Sequence, residues 1–496
     1  MKNNIGTNEN MHIKNNAEMK NRAIAEVNRI KFSAAALVPY RALKNDGLIR
    51  DLYQLFDLLS FENLDIFSII DLYSSIGHRL IGAAAGLREY FIEKMLFTEN
   101  PFNRAAEVNG AGCLTGAMES AVKSDLAHLQ RLASLRSEWI RDIISYFCSD
   151  DTVMREAVQK LPLWADMAGM TSEQSCTLKI KKLLMNSCNW PDCAVELADY
   201  HMKYGSGIFA KYRAFVWRHD SLYGRCEMDQ MGGNDLITGA GSGSEQSPNN
   251  GRGLVGVESP DPVRFSDLVS YELERKDVIE NTLHFLDGHP ANNILLYGDR
   301  GTGKSTTVKA LLNEYHDRGL RMIEVPKKLL GDFPLIIRQL AGRNLKFILF
   351  VDDLAFEDNE ENYTALKAAL EGGVESRPDN VLIYATSNRK HLIKERFSDR
   401  TGLISGNADD EVRAADTMQE KLSLSDRFGM TVIFSSPDKR RYLEIVEGLV
   451  KARGFAVDKD YLHREALKWE LEYNGRSPRT ARQFVDWLEG QIASDS

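Results

Sequence analysis

The residues best suited to chemistry form a loop that could hold a polyphosphate. The pattern G-x-x-x-x-G-K-[ST] is matched by eight consecutive residues: Gly298, Asp299, Arg300, Gly301, Thr302, Gly303, Lys304 and Ser305. An apolar run precedes the motif and a helical pattern follows it, as the motif requires. We expect backbone N–H groups from this loop through Thr306 to surround the phosphates, with the Lys304 ammonium at the β and γ phosphates and the Ser305 hydroxyl on Mg²⁺. The motif therefore predicts a nucleoside triphosphate site.

Two adjacent acids follow a second apolar run. Residues Phe347 to Val351 are all apolar, as expected for a strand buried on both faces, and Asp352 and Asp353 come directly after them. The first carboxylate of such a pair usually holds Mg²⁺ through water, and the second accepts a proton from the attacking water. We therefore predict Asp352 as a metal residue and Asp353 as the general base.

A third polar position follows another predicted strand, which ends in Ala385, Thr386, Ser387 and Asn388. A polar side chain at the tip of a strand beside the phosphate loop can position the attacking water or sense the γ-phosphate. Asn388 is the first candidate for this role and Thr386 is the second.

The second half of the chain alternates predicted strands and helices. The predicted strands are Ile294–Tyr297, Arg321–Val325, Lys346–Val351 and Val381–Thr386. Strands separated by helices predict a parallel sheet that is covered on both faces, with its ligand at the carboxyl ends of the strands. From Asp438 onward only helical patterns remain, and these predict a small separate lid.

The first half has a helical pattern. Apolar residues recur at three- and four-residue steps, which predicts an amphipathic helix through Leu126, Leu129, Leu132, Leu135, Trp139, Ile143 and Phe147. Similar periodicity covers Leu48 to Leu59 and Val195 to Val216. A stretch rich in Gly, Ser, Asn and Pro then predicts a flexible linker. The predicted organisation is a mobile N-terminus (1–20), a mainly helical domain (21–229), a linker (230–262), an α/β core (263–436) and a helical lid (437–496).

Composition limits the possible classes of protein. A chain of 496 residues is too long for a single core, and its net charge of −9 argues against a protein built mainly to coat nucleic acid. No apolar stretch approaches the roughly 20 residues needed to span a bilayer. The segment Met1 to Lys20 lacks an apolar signal core, so we expect a cytoplasmic protein.

The cysteines favour plain thiols over a metal site. Cys188 and Cys193, together with His201, could form part of a zinc site. However, a C-x₄-C pair without a second cysteine pair matches known zinc spacing poorly.

The order of these motifs resembles an AAA+ ATPase module. The phosphate loop, the two acids and the polar strand tip are followed by Ser425-Asp426-Arg427-Phe428-Gly429 and then by Ser477-Pro478-Arg479. More narrowly, the strings NNILLYGDRGTGKS, KFILFVDDLAFE, NVLIYATSNRKHLI and EKLSLSDRFGM resemble the bacterial AAA+ family DUF815. The resemblance runs from about Asp261 to the C-terminus.

This resemblance implies a fold and a set of partners. The fold would be an α/β P-loop NTPase, an AAA+ core with a parallel sheet flanked by helices and a C-terminal helical lid, preceded here by a mainly α-helical N-terminal domain. The implied ligands are ATP and Mg²⁺, and the implied assembly is a homo-oligomer through the AAA+ core.

The resemblance also assigns two arginines. Arg427 would be the arginine finger that one subunit inserts into its neighbour's site, where a planar guanidinium can bridge γ-phosphate oxygens. Arg396 and Arg400 compete with it for this role. Arg479 would be the lid arginine that contacts the phosphates of its own chain, with Arg482 as the alternative.

One residue departs from the family pattern. AAA+ enzymes commonly have Glu as the second acid, whereas this chain has Asp353, which is one methylene shorter. Hydrolysis would therefore be slow, or Glu357 would substitute if the chain turns into a helix there.

The adenine is expected beside the segment that precedes the first core strand. Val269, Ser270 and Tyr271 stand where AAA+ modules close an apolar pocket over the base, before a predicted helix Leu273–Leu286.

Two classes of function fit the sequence. In the first, the chain is an ATP-driven remodeller that assembles into a ring or arc, and its helical half holds a protein or nucleic-acid client. In the second, it is a nucleotide-controlled switch or scaffold with slow hydrolysis. An aromatic pore loop would favour a remodeller that threads its client. The segment from Lys327 to Arg343 contains only Phe333-Pro334 of that type, which is weak support for threading.

Overall fold

The computed structural model describes residues 22–60, 65–148, 151–167, 178–219, 252–354, 365–367, 369–370, 378–388, 427–473 and 475–495. The chain divides into two compact units, Met1–Ala210 and Lys211–Ser496.

The first unit is built from helices. The α-helices are α1 (22–35), α2 (Gly47–Leu58), α3 (Ile66–Ala83), α4 (Leu87–Phe97), α5 (Pro101–Asn109), α6 (Gly116–Ala133), α7 (Ser137–Phe147), α8 (Thr152–Gln159), α9 (Leu178–Asn186), α10 (Ala194–Tyr204) and α11 (Ile208–Lys211). Single 3₁₀ turns occupy Arg41–Asn45, Gly110–Cys113, Trp164–Met167 and Trp190–Cys193. One hydrophobic cluster contains buried residues from nearly every helix.

The periodic stretch from Leu126 to Phe147 is two helices and not one. Helix α6 ends at Ala133 and α7 begins at Ser137, with Arg136 in an extended conformation between them. Leu129 and Ile143 nevertheless belong to the same buried cluster, so the apolar spacing continues across the break. Periodicity reports which side is buried and does not report where a helix ends.

The second unit contains a seven-stranded sheet. Its strands are β1 (Ala214–His219), β2 (Arg252–Gly256), β3 (Ile294–Gly298), β4 (Leu320–Glu324), β5 (Lys346–Val351), β6 (Val381–Ser387) and β7 (Met430–Phe434), in the order β2-β1-β4-β5-β6-β3-β7. All pairings are parallel except β1 with β2. The predicted parallel sheet flanked by helices is therefore confirmed, with one antiparallel strand added at its edge.

The predicted end of the helical domain and the predicted linker are wrong where β1 and β2 lie. Residues 214–219, assigned to the helical domain, and residues 252–256, assigned to the linker, pair as two antiparallel strands. The physical reason is that alternate residues of a strand lie on the same face. Phe215 and Trp217 of β1 and Leu254 of β2 are almost fully buried. The rest of the predicted linker up to Gly251 lies outside the described residues.

Further α-helices lie in the described part of the second unit. They are α12 (Glu272–Leu286), α13 (Lys304–Tyr315), α14 (Phe333–Leu340), α15 (Lys439–Arg453), α16 (Lys459–Glu472) and α17 (Pro478–Asp495), and residues 365–367 and 369–370 are also helical. The lid helices α15 to α17 are not separate as predicted. Tyr442 and Phe484 belong to the same hydrophobic cluster as Ile294 and Val432 of the sheet, because the apolar faces of the lid helices are buried with those strands.

We expect the β1–β2 pair to contribute to the stability of the second unit. The Trp217 side chain is fully buried and donates from Nε1 to Asp332 Oδ2 at 2.8 Å, and Arg252 donates to Asp332 Oδ1 at 2.8 Å. Trp217→Ala should lower the free energy of unfolding by about 3–5 kcal/mol, the usual cost of truncating a buried Trp. The measurement is urea unfolding of the full chain, followed by circular dichroism. Leu471→Ala, at an exposed position, is the control. An unchanged midpoint for Trp217→Ala would mean that this segment behaves as a linker.

Candidate functional site

The phosphate loop joins β3 to the start of α13. Gly303, the residue before the helix, has a φ of +92°, a left-handed conformation that glycine adopts without a steric penalty. This turn allows α13 to begin at Lys304, so the first N–H groups of the helix face the loop. The N-terminus of a helix favours an anion through these unpaired N–H groups and the helix dipole.

Lys304 is held inside the loop by hydrogen bonds. Its ammonium donates to the backbone oxygens of Gly298 and Asp299, at 2.9 and 2.7 Å, and to Asn388 Oδ1 at 3.0 Å. The residue is only 5% exposed. Burial lowers its pKa from 10.5 to about 8, even though Asp299, Asp353 and Asp352 favour the charged form. The loop therefore contains a partly desolvated cation.

Ser305 and Asp352 meet at the position predicted for the metal. The Ser305 hydroxyl donates to Asp352 Oδ1 at 2.5 Å. The Thr386 hydroxyl donates to the same oxygen at 2.6 Å. Hydroxyl and carboxylate oxygens are ligands that Mg²⁺ prefers, so this pair fits the ion. Thr386 thus holds the first acid, and it lines the same cavity as Asn388, the other predicted polar residue at the strand tip.

Asp353 and Asn388 form the next pair of the site. Asn388 Nδ2 donates to Asp353 Oδ1 at 2.5 Å, so Asn388 connects Lys304 to Asp353. Asp353 has a φ of +52°, and its N–H donates to Thr386 Oγ1 at 2.8 Å. A non-glycine residue in this left-handed region is strained, and such strain is found often at functional sites. The turn separates the two acids, with Asp352 at Ser305 and Asp353 at Asn388.

Lys327 is a residue of the site that the sequence analysis missed. It begins a 3₁₀ segment, Lys327–Asp332, after β4, and its ammonium donates to Asp353 Oδ2 at 3.3 Å. Both carboxylate oxygens of Asp353 are thus engaged, one by Asn388 and one by Lys327. The sequence contained one signal for this residue, because Lys327 comes just after a strand of the same parallel sheet. The carboxyl ends of parallel strands lie at one edge of the sheet.

Asp299 and Gly301 face the lid. The Asp299 carboxylate accepts hydrogen bonds from the hydroxyl and the N–H of Ser436, at 2.6 and 3.2 Å. The N–H of Arg479 donates to the Gly301 oxygen at 3.2 Å, and a Cβ at Gly301 would lie 3.0 Å from Ser477 Oγ. The predicted nucleotide residue Asp299 therefore contributes its backbone to the loop and its side chain to the lid.

A cavity of about 650 Å³ lies over these groups. Its walls include most of the predicted nucleotide, metal and catalytic residues, namely Arg300, Gly301, Thr302, Gly303, Lys304, Ser305, Thr306, Asp352, Asp353, Asn388 and Arg479, and also Thr386. Arg482 lines it as well, so the structure does not separate the two lid arginines by position. The Arg479 charge also lowers the pKa of Lys304, although burial is the largest cause.

A small recess of about 40 Å³ lies beside this cavity, at the segment predicted to meet the adenine. Val269 and Tyr271 line it together with other apolar side chains and with the charged residues Asp267, Arg275 and Arg482. Ser270 faces elsewhere, because its hydroxyl accepts from Arg441 Nε at 2.8 Å. Helix α12 begins at Glu272, one residue before the predicted start.

Arg427 lies away from the phosphate loop of its own chain. Met430 pairs with Ile294, which is four residues before Gly298 on the parallel strand β3. Four residues of strand correspond to about 13 Å. Arg427 thus precedes the amino end of β7, while the phosphate loop follows the carboxyl end of β3. The competing residues Arg396 and Arg400, and the alternative base Glu357, lie outside the described residues.

The residues of the zinc alternative have other contacts. Cys188 is exposed, whereas Cys193 is buried and its Sγ lies 3.4 Å from Ser187 Oγ. His201 is fully buried with its Nδ1 2.9 Å from the Gly205 oxygen, and burial lowers its pKa to about 4. Within the ranges that the structure describes, no group of three or more His, Cys, Asp or Glu side chains could hold a metal ion.

Comparisons with curated proteins find proteasome regulatory subunits. A Methanocaldococcus jannaschii protein described as a 26S proteasome regulatory subunit homolog is 24% identical over 250 residues, which are 45% of this chain and 67% of that protein. The 26S proteasome regulatory subunit 4 homolog of Saccharomyces cerevisiae is 39% identical over 70 residues, 13% of this chain and 16% of its own length. The match therefore spans less than a fifth of the yeast relative.

Comparison with solved structures finds RuvB mutants of Thermotoga maritima. One of them is 15% identical with a TM-score of 0.33, covering 47% of this chain and 67% of that chain.

None of the helices that the structure describes is long and apolar enough to cross a membrane.

The family follows from a match to a family model. The model described as "Protein of unknown function (DUF815)" matches residues 244–492, about half of the chain. The resemblance inferred from the motifs, to the AAA+ family DUF815, is confirmed by this match. The chain belongs to the DUF815 family.

Proposed function

We propose that this chain binds ATP with Mg²⁺ and hydrolyses it. The observation that carries the proposal is the convergence of three strand ends on one cavity. Lys304 and Ser305 follow β3, Asp352 and Asp353 follow β5, and Asn388 follows β6. A buried cation, a helix N-terminus and paired acids together suit a polyphosphate and its metal ion.

Each group has a proposed role in the reaction. Lys304 binds the β and γ phosphates, and Ser305 with Asp352 holds Mg²⁺, which neutralises phosphate charge when it is bound. Asn388 orients the attacking water, and Asp353 accepts its proton as the new bond to the γ-phosphorus forms and the bond to the β–γ bridging oxygen breaks. Arg479 contacts the phosphates from the lid of the same chain.

We further propose that neighbouring subunits share each site. Arg427 stands roughly a strand length away from its own phosphate loop, so it is better placed to reach the site of a second copy than its own. ATP turnover in an oligomer of the second unit would then drive remodelling of a client that the helical first unit holds.

A specific contact supports the alternative of a slow nucleotide-controlled switch. Both oxygens of Asp353 are engaged, by Asn388 at 2.5 Å and by Lys327 at 3.3 Å. One of these contacts must be given up before an Asp353 oxygen can accept a proton from water, and the shorter Asp side chain adds to this effect. In this alternative, ATP holds an assembled state for a long time before hydrolysis releases it.

Lys304 predicts a dependence of nucleotide affinity on pH. Its pKa in the free protein is lowered to about 8, whereas bound phosphates favour the charged form and raise the pKa. Binding therefore takes up a proton above pH 8, and ATP affinity should fall as pH rises through that range, by up to about tenfold per pH unit. The measurement is calorimetric titration between about pH 7 and pH 9.5.

Two variants serve as controls for this prediction. Lys304→Arg keeps its charge over the whole range, so the fall in affinity should disappear. Lys304→Ala should bind at least about tenfold more weakly at pH 7. ATP affinity that is the same in Lys304→Ala and wild type would disprove the phosphate-site assignment.

The two acids should have separable effects. Asp352→Ala should impair Mg²⁺-dependent ATP binding, because it removes an oxygen ligand. Asp353→Asn should bind ATP normally and lower turnover by about 10²-fold, the usual scale for loss of a general base. Asp287→Asn is the matched control, since Asp287 is an exposed acid that pairs with Arg318. Normal turnover in Asp353→Asn would exclude it as the base, and Glu357→Gln would then be the next variant to measure.

Mixing experiments distinguish a shared site from a self-contained one. Arg427→Ala should fold and bind ATP but fail to hydrolyse it, because the missing charge belongs to the neighbour's site. Arg427→Ala subunits mixed with Lys304→Ala subunits should regain part of the activity, since some interfaces combine an intact phosphate loop with an intact finger. Wild-type activity per subunit that stays constant on dilution to a monomer, as shown by sedimentation, would favour the monomeric switch.

A further inference from the structure

The segment that joins the sheet to the lid is in contact with the nucleotide site at each of its first three residues. We call residues 434–438, from the last residue of β7 to the residue before α15, the lid junction. Phe434 lies against Gly298, because a Cβ at that glycine would be 2.0 Å from the Phe434 oxygen. Tyr271 donates from its hydroxyl to the Ser435 oxygen at 2.6 Å. Ser436 donates its hydroxyl and its N–H to the Asp299 carboxylate.

The junction is also fixed on the lid side. Asp438 caps α15 by accepting the N–H of Arg441 at 2.7 Å. The Arg441 guanidinium lies 3.9 Å from the centre of the Tyr271 ring and forms two hydrogen bonds with Glu274, at 3.0 and 3.1 Å. Tyr271 stacks on Phe434 with a ring-centre distance of 5.5 Å. A displacement of the junction therefore has to move α15.

Asp299 is an unexpected residue for a phosphate loop. Its carboxylate adds negative charge beside a site for an anion, which opposes phosphate binding by Coulomb repulsion. Backbone groups do the binding in such a loop, so no phosphate contact requires an acid here. The contact with Ser436 gives this side chain a different use.

The hydrogen bonds of Lys304 connect this contact to the phosphates. An ammonium has three N–H donors. In the part of the chain that the structure describes, these donors meet three acceptors, the oxygens of Gly298, Asp299 and Asn388. A phosphate that accepts from Lys304 must therefore displace at least one of them. Two of the three belong to Gly298 and Asp299, the residues that contact the lid junction.

We infer that Asp299 is a positioning residue that links phosphate binding at Lys304 to the position of the lid through Ser436. The inference rests on the proposed binding of ATP to this loop. When the ammonium turns to the phosphates and gives up its bond to the Gly298 or the Asp299 oxygen, the Asp299 oxygen keeps the hydrogen bond from the Thr302 hydroxyl at 2.9 Å. The loop then adjusts around this remaining bond, and Asp299 transmits the change to the junction. The carboxylate acts through its acceptor oxygens, so its charge is not needed for this role.

The test is hydrogen–deuterium exchange of the full chain at residues 434–441, without nucleotide and with ATP and Mg²⁺. In wild type, ATP should change the exchange rate of these amides by about tenfold. In Asp299→Ala the change should fall below about threefold, while calorimetry still detects ATP binding. Asp299→Asn keeps an acceptor oxygen and removes the charge. It should keep the response of the junction and bind ATP more tightly.

Further variants keep the result interpretable. Ser436→Ala removes the same hydroxyl contact from the other side and should also reduce the response, which covers the case in which Asp299→Ala does not fold. Glu444→Gln breaks an exposed pair with Arg440 on α15 and should leave the response unchanged. If Asp299→Ala and Ser436→Ala both respond like wild type, or if wild type binds ATP without any change at the junction, the inference is wrong. Absence of ATP binding in wild type would instead refute the proposed function.

Discussion

The nucleotide-binding unit depends on a buried ammonium. Lys304 is almost fully enclosed, and removing a charged group from water is costly unless hydrogen bonds compensate. Two backbone oxygens and one amide oxygen supply that compensation. These oxygens belong to the phosphate loop and to the tip of β6. Burial of the Lys304 ammonium therefore requires both segments to fold around it. The lowered pKa of Lys304 reflects the part of the desolvation cost that these contacts do not offset.

The two acids illustrate how one dipeptide is divided between two roles. Asp352 continues from β5 and meets Ser305, whereas the left-handed turn at Asp353 directs the second carboxylate toward Asn388 and Lys327. Such a conformation costs of order 1–3 kcal/mol and persists only where surrounding contacts impose it. The hydrogen bond from the Asp353 N–H to Thr386 supplies one of those contacts. Thr386 therefore organises the acids, since its hydroxyl donates to Asp352 and accepts from the Asp353 N–H.

Local patterns predicted the centre of the site from the sequence. The phosphate loop, the acids after β5 and Asn388 after β6 each follow a buried strand, and parallel strands bring such ends together at one edge of the sheet. The remaining parts depend on contacts between distant segments. Trp217 and Leu254 are separated by a long Gly- and Ser-rich stretch, so nothing local indicates that they pair. Lys327 reaches Asp353 across 26 positions, and Ser436 reaches Asp299 across 137, distances over which composition and periodicity carry no information.

The same distinction explains why the lid could be recognised as helical but not placed. The spacing of apolar residues in α15 to α17 predicts helices, yet their buried faces complete the core beneath the sheet. The lid junction and the lid then reach the phosphate loop from different points of the chain, through Ser436 at Asp299 and Arg479 at Gly301. A loop held by the lid at two positions cannot rearrange around a ligand without a response from the lid helices. The contacts of Ser436 and Arg479 with the phosphate loop, more than the identity of the loop residues, make this lid a part of the nucleotide site.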